Sequence, residues 1–588
     1  MHRPSTTPRP SLYHVYQVHD FVRPPEMDGA RTVHPVAIVG AGPVGLVTAL
    51  ALARLGVRCV LIEAEAQVSE GSRAIVLTRR SMEIIQSVGA IAPFVATGLP
   101  WKSGRSFFRG HEVYRMEMPH DDDDRFWPGT NTQQQLIEQY LVDAAEASGM
   151  VEIRWQTACT GIEQDDDGVT LALDTPEGEY RLRARRVVAA DGGRSTVRRC
   201  LGLRFEGENY PGRFVIADIR ADLGLPTERL CFFDPDWNPG NNVLVHREPD
   251  GIWRIDFRLP DDETPEAALD PDTLAERIGR VLEMVGRPVQ WQLDWATVYT
   301  ANTLTLPDFR AGRVLFAGDA AHLLPIFGVR GANTGFQDAG NLGWKLAMVE
   351  RGIAPEALLE TYSHERVAAA REICAEGGRS TRFMSPPSHG YRLLRDATLS
   401  LVLSQDWPKP LLHWRTSRPH DYLDSPLNSA PVGIDPAAPV PGVPVPDARL
   451  SEDDFLLGHL PDGFVLLGFA DDADTLAALE RSAAQAESHG APLSTLWVVD
   501  PALAGAGRVV DALGRARARY HARNGDCWLA RPDQHLCAAW HRPDAAAIGA
   551  AIRRALGHHA GADAGADADA GTPAGGGRVD DAVTEGDQ

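Results

Sequence analysis

Three groups of residues in this chain have types and spacings suited to holding a charged ligand. The first is Gly40-Ala41-Gly42-Pro43-Val44-Gly45, followed by Glu63. The second is Asp191-Gly192, and the third is Gly318-Asp319. In the first, Gly40 permits a tight turn, Gly42 leaves room for a pyrophosphate against the backbone, and Gly45 lets a helix pack closely on a strand. The helix that follows offers free N–H groups and its positive dipole end to phosphates. Glu63 is placed to accept hydrogen bonds from an adenosine ribose.

Those glycines carry meaning only inside the right elements. Residues 36–39 read as a short buried strand, 46–55 as a helix and 57–62 as a second strand. Gly56 stands where a helix ends. Strand, glycines, helix, strand and acid fall in order within about thirty residues, the context that a dinucleotide fingerprint requires. A Gly-rich turn in an ordinary α/β domain would rarely supply all of them. An acid at 63 in place of a basic patch suits an unphosphorylated ribose, which leaves NAD and FAD both open.

The other two groups narrow the choice. Val188-Ala189-Ala190-Asp191-Gly192-Gly193-Arg194-Ser195 is one segment. Gly318-Asp319-Ala320-Ala321-His322, running on through Pro325, Gly328, Gly331 and Asn333 to Asp338, is the other. They resemble the Asp-Gly and Gly-Asp motifs of the group A flavoprotein aromatic hydroxylases, the para-hydroxybenzoate hydroxylase superfamily. The resemblance spans about residues 35–400. It implies non-covalent FAD, with Asp319 on the flavin ribityl chain and Asp191 near the pyrophosphate and the nicotinamide approach. Arg73, in Ser72-Arg73-Ala74, is similar to the family's FAD-contacting arginine. Gln134, one of three successive glutamines, is similar to a flavin-contacting glutamine. The expected cofactor-binding set is therefore Gly40, Gly42, Pro43, Gly45, Glu63, Arg73, Gln134, Asp191, Gly318, Asp319, Pro325, Gly331 and Asn333.

The residues themselves agree. Asp319 ends a strand, where an open α/β sheet places its ligand crevice. The helix starting near Ala332 aims its N-terminus at the same place, and Phe336, Ala339, Gly343, Leu346 and Ala347 give it a packing face. His322 reads as a packing histidine more readily than as a base. Arg330 stands where many relatives carry a smaller residue, with a carboxylate, an NAD(P)H phosphate or the flavin as its open partners.

No second complete GxGxxG unit and no CxxC occur. The resemblance then implies that NADH or NADPH docks transiently, and that O2 forms a flavin hydroperoxide that hydroxylates a phenolic ring. The chain is most similar to the larger phenolic hydroxylases, so a hydroxyphenylpropionate-like acid is the expected substrate. His246, Arg254 and Arg258 are candidates to hold its anion, although such sheet residues are more often solvated or salt-bridged. No catalytic base and no metal site is assigned. Two alternatives remain: a flavin-dependent tailoring oxygenase of a polyketide or other larger substrate, and a non-enzymatic FAD-binding scaffold.

The expected fold class is α/β, with a Rossmann-like FAD-binding domain, an inserted β-sheet substrate domain and a C-terminal thioredoxin-like domain. An irregular arm occupies 1–34, with Tyr13, Tyr16 and Phe21 packed on the body. The FAD-binding domain takes 35–204, including substrate-domain elements near 95–130, and 306–424. The substrate sheet takes 205–305; alternation over 252–259 predicts an antiparallel strand with one covered face. A Pro-rich semi-rigid linker follows at 425–446, then the thioredoxin-like unit at 447–558, with strands near 464–469, 493–499 and 528–531. The Ala/Gly/Asp-rich tail 559–588 reads as disordered. Acidic runs at 121–124 and 165–167 read as solvated turns. The net charge of −22 speaks against a nucleic-acid partner. The absence of a signal or membrane segment and the seven scattered cysteines suit the cytoplasm. A small aromatic substrate is the expected partner, and a homodimer is left open.

Overall fold

The computed structural model describes residues 1–558 apart from 261, 325–326 and 413–417. The expectations for Pro325 and for the tail 559–588 therefore lie outside the described residues.

Apolar runs without alternation bury on both faces, and here they build a parallel core. Strands Val314–Phe316, Gly178–Ala189, Val33–Val39, Cys59–Ile62 and Val151–Arg154 lie side by side in that order, all parallel. Helix Pro43–Arg54 follows Val33–Val39 and meets the long helix Gly331–Glu350. The two approach at backbone distance. A Cβ on Gly335 would stand 2.5 Å from Val44 Cγ2, and one on Gly343 would stand 2.5 Å from Ala51 Cβ.

The second sheet has eight strands, with Glu206–Ala221, Ile252–Arg258, Asn242–Arg247 and Arg229–Phe233 in its middle. Strands Ser103–Phe108 and His111–Glu117 extend it from earlier in the chain. Ile252–Arg258 is antiparallel to both neighbours, as its alternation requires. One expectation fails: every residue of this strand is buried, so both faces are covered. Trp253, Ile255 and Phe257 pack under helix Pro271–Met284. Arg254, Asp256 and Arg258 face the other way, toward the FAD-binding domain.

The third sheet joins Arg508–Val510, Leu493–Val499, Phe464–Ala470, Asp526–Ala530 and Leu536–His541. The first three are parallel and the last two form an antiparallel hairpin. Its turn plunges into the first domain. Arg531 Nη1 lies 2.8 Å from Glu365 Oε1, Lys345 Nζ lies 2.7 Å from Glu365 Oε2, and Arg531 Nη2 lies 2.6 Å from Asp533 Oδ2. All four side chains are buried. Burial alone would raise the Glu365 carboxyl, but Arg531 and Lys345 hold it well below the usual carboxylate range.

Three other segments pack more tightly than their composition predicts. The acidic run at 121–124 is not wholly solvated: Asp123 and Asp124 are buried, with Asp124 paired to Arg79 and Arg519. The run at 165–167 is exposed, as expected. The Pro-rich stretch is no free spacer. Ser429, Val432 and Gly442 donate backbone N–H groups along Leu536–His541. The N-terminal arm is a strap. Arg9, Ser11 and the Leu12 N–H bind Asp294, Tyr16 O–H accepts from Gly71 N–H, and His19 stacks on Trp155 at 4.1 Å.

Removing one partner of a buried ion pair strands the other charge, at a cost of about 3–5 kcal/mol. Arg531→Met should destabilise the protein by about that much in denaturant unfolding. A loss below about 1 kcal/mol, typical of a surface pair, would show that the network does not hold the units together.

Candidate functional site

The glycine turn is built as its sequence demands. Gly40 has φ +105°, and a Cβ there would strike Ala190 O at 2.5 Å. A Cβ on Gly45 would strike Gly40 O at 2.0 Å. Helix Pro43–Arg54 starts immediately, with proline in the first turn where a missing N–H is harmless. Glu63 closes the turn from below. Its carboxylate accepts Ala41 N–H at 2.7 Å and Glu65 N–H at 2.9 Å, and burial raises it against those amides.

The two aspartate motifs converge on this turn. The contact of Gly40 with Ala190 and Asp191 brings the second segment alongside. Asp191 Oδ2 accepts Thr196 N–H at 2.7 Å, while its Oδ1 is buried without a partner among the described residues. Gly318 lies against Val44, with φ +61°. Its N–H donates to Asp338 Oδ2, which also meets His322 Nε2 at 2.6 Å; Arg366 binds the other oxygen. His322 is thus fully buried in a charged network behind the site. Asp319 instead opens to solvent beside the turn.

Gly42 and Gly331 face open space: no heavy atom lies within 4 Å of where their Cβ atoms would stand. Gly42 precedes one helix and Gly331 begins another. Two helix N-termini, a turn bare of side chains and an acid beyond each strand form a cradle that fits a dinucleotide.

Several predicted residues make contacts within the protein. The Asn333 side chain is committed to protein: Oδ1 accepts from Thr78 N–H at 2.8 Å and Ser81 O–H at 2.6 Å, and Nδ2 donates to Val76 O and Val329 O. It ties the helix start to strand Val76–Thr78, and only its backbone is left for a ligand. Gln134 Oε1 accepts Ala74 N–H at 3.0 Å and Nε2 donates to Glu138, so it orders the Ser72–Ala74 loop. Arg330 donates to Phe327 O at 3.2 Å, and its Nη1 lies 3.5 Å from Glu376. Of its three open partners, a carboxylate of the chain itself is the one observed. Arg73 is exposed at the mouth of the site. Val329 adopts φ +60°, a rare conformation for a β-branched residue and one found where function imposes strain.

The three substrate candidates are all buried. Arg254 is buried and holds Asp218 through two contacts, at 2.8 and 2.9 Å. It also donates to the carbonyls of Ser72 and Arg73. It pins the loop of the FAD-binding domain, and four of its five N–H donors are committed to protein. Arg258 donates to Asn241 at 2.7 Å, at the edge of a cavity of about 350 Å³. His246 is buried, and burial together with Arg229 and Arg254 holds it well below its ordinary value, so it is neutral. Three groups on the same face escaped notice: Arg229, Asp256 and Tyr299. Only Asp256 had a signal, its place between two flagged arginines. The others come from distant strands that the register brings together.

The model of the family described as "FAD binding domain" matches residues 33–376. The chain belongs to that family, and FAD is the dinucleotide that its cradle takes. It is similar to the 3-(3-hydroxy-phenyl)propionate/3-hydroxycinnamic acid hydroxylase of Mycolicibacterium smegmatis, 36% identical over 363 residues that cover 61% of this chain and 63% of the relative. The chain thus matches less than two thirds of that relative's length. Among solved structures it is similar to aklavinone-11 hydroxylase in a ternary complex with FAD and aklavinone, with TM-score 0.69 and 26% identity over 90% of this chain and 100% of the other. The flavin-dependent monooxygenase PieE shares the fold, with TM-score 0.75 and 22% identity over 90% of this chain and all of the other.

Arg254→Leu would leave Asp218 buried and alone, and should cost about 3–5 kcal/mol in denaturant unfolding while loosening FAD. Arg254→Lys should restore little, because one ammonium cannot match the bidentate fork. Full recovery of FAD retention by lysine would refute the pinning role.

Proposed function

We propose that this chain is an FAD-dependent monooxygenase that uses NADH or NADPH and O2 to hydroxylate a phenolic aromatic compound, with a hydroxyphenylpropionate-like acid as the substrate class. One observation carries the reading. The polar face of the substrate sheet closes directly on the FAD cradle: Arg254 grips Ser72 and Arg73 at one end, and Phe214 meets Phe327 edge-on at 5.5 Å at the other. A small aromatic ring held between them would lie beside the cofactor, screened from water.

The roles follow from placement. Gly42, Pro43 and Gly45 would hold the pyrophosphate at the first helix N-terminus, Glu63 the adenosine ribose, and Asp319 the ribityl chain. The free N–H groups that start helix Gly331–Glu350 would stabilise negative charge. Asp191, Gln134 and Asn333 shape and support the loops around them, and Arg73, exposed at the mouth, would contact the FAD. Bound FAD supplies the oxygen-activating redox chemistry, while the protein positions and shields it. The C-terminal five-stranded unit is read as thioredoxin-like and structural, since it lacks a CxxC pair. A cytoplasmic home agrees with the free cysteines, and no helix among the described residues is long and apolar enough to cross a membrane.

A second reading has its own support. Solved structures similar over 90% of the chain include aklavinone-11 hydroxylase and OxyS anhydrotetracycline hydroxylase from Streptomyces rimosus, each 26% identical. A larger, polycyclic phenol would suit a tailoring oxygenase. The purified protein should carry FAD and oxidise NADH or NADPH faster with 3-(3-hydroxyphenyl)propionate, giving a product one oxygen heavier. Product from polycyclic phenols alone would favour the second reading. Peroxide as the sole product across both panels would reject both.

A further inference from the structure

The polar face of the substrate sheet carries a carboxyl group without an assigned task. Asp256 lies in strand Ile252–Arg258 between Arg254 and Arg258, opposite Ile216 on one neighbour and Leu244 on the other. The flanking arginines show what this face looks at. Arg254 reaches Ser72 and Arg73 of the FAD-binding domain. Arg258 stands opposite Phe214, which meets Phe327 in the loop leading to helix Gly331–Glu350. Residues two apart on a strand share a face. Asp256 therefore shares that face of the sheet and lies between those two contacts.

Its carboxyl is buried and makes no hydrogen bond or ion pair among the described residues. The groups around it leave it the available base. Asp218, on the next strand, is consumed by Arg254. Burial raises Tyr299 and Glu248 well above their ordinary values, with Arg254 opposing and the Asp256 charge adding to the rise. His246 is held neutral and low by burial, with the cations Arg229 and Arg254 adding to it. Burial pushes Asp256 itself up to about 7, with Arg254 and Arg229 opposing and Asp218 adding to the rise. A base works best when its pKa lies near the working pH.

We propose that Asp256 is the catalytic base that takes the phenolic proton of the substrate. The proposal rests on the phenol-hydroxylating function above. The phenol O–H bond breaks, its proton passes to a carboxylate oxygen of Asp256, and the electron pair stays on the phenolate oxygen. No oxidant or reductant enters this step. Arg254 and Arg229 supply the positive field that favours phenolate, whose free pKa is about 10. The sign of the pH dependence follows. Below about 7 the carboxyl is protonated and cannot act; above it the carboxylate accepts the proton. Hydroxylation should therefore rise as pH increases through that value.

The test uses the full-length, FAD-loaded protein with 3-hydroxycinnamate, whose absorption shifts on ionisation. In the wild type the bound phenol should ionise well below its free midpoint, and product formation should rise across neutrality. Asp256→Asn removes a negative charge beside the bound phenol, so it should leave or lower the equilibrium midpoint, and it should slow hydroxylation by about a hundredfold for want of the base. It should also flatten the neutral limb of product formation while NADH-dependent flavin reduction persists, with peroxide replacing product. Asp256→Glu should keep a displaced limb, and it carries the test if the asparagine variant loses FAD. An unchanged rate and pH limb of product formation in Asp256→Asn, beside a hydroxylating wild type, would overturn the assignment alone. A wild type that oxidises NADH yet neither binds nor hydroxylates a phenol would overturn the functional reading and the assignment together.

Discussion

The close crossing of helix Pro43–Arg54 and helix Gly331–Glu350 is the contact on which the rest depends. Val44 fits between Gly318 and Gly335, and Ala51 rests on Gly343. No side chain larger than hydrogen fits at Gly335 or Gly343 without pushing the helices apart. Because they meet at backbone distance, their N-termini open onto one crevice. The Gly40 turn, Asp191 and Asp319 then surround that crevice, because each follows the end of a strand in the parallel sheet.

Buried charge fixes the parts that packing alone would leave free to slide. Asp218 and Arg254 lock the substrate sheet to the Ser72–Arg73 loop, and Glu365 gathers Lys345 and Arg531 from two different units. Such pairs pay heavily in desolvation, and apolar residues of similar volume often stabilise as well. Their geometry is directional, however, so they specify one relative placement of loop and sheet. The strap formed by the N-terminal arm adds to this. It binds Gly71 and Asp294, one on each side of the same junction.

Much of the architecture was legible in the residues. The dinucleotide fingerprint needed only local order, because strand, turn and helix lie within one short stretch. The alternation at 252–258 revealed an antiparallel strand and even the face that its charged residues share. What those residues do was not legible. Arg254 and Arg258 resemble anion holders by type, but their partners lie far along the chain at Asp218, Ser72 and Asn241. Asn333 belongs to a flavin motif, yet its amide serves Thr78 and Val76. Acid-rich and Pro-rich runs look solvated in composition, while Asp124 and Gly442 find partners in the C-terminal unit.

Sequence by itself determined the nucleotide fold and the elements that carry it, while the choice of FAD came from the resemblance of the Asp191 and Asp319 segments to a flavoprotein family. Glycine spacing, apolar runs and capping are short-range constraints, each obeyed within a few residues of chain. The tertiary structure decided which charged groups neutralise one another and which do not. Burial and pairing depend on residues brought together from distant strands, and in a low-dielectric interior they set the charge state of each group. The difference between Arg254, bonded to Asp218 and to two carbonyls, and Asp256 two residues away, buried without a partner among the described residues, is a product of that assembly.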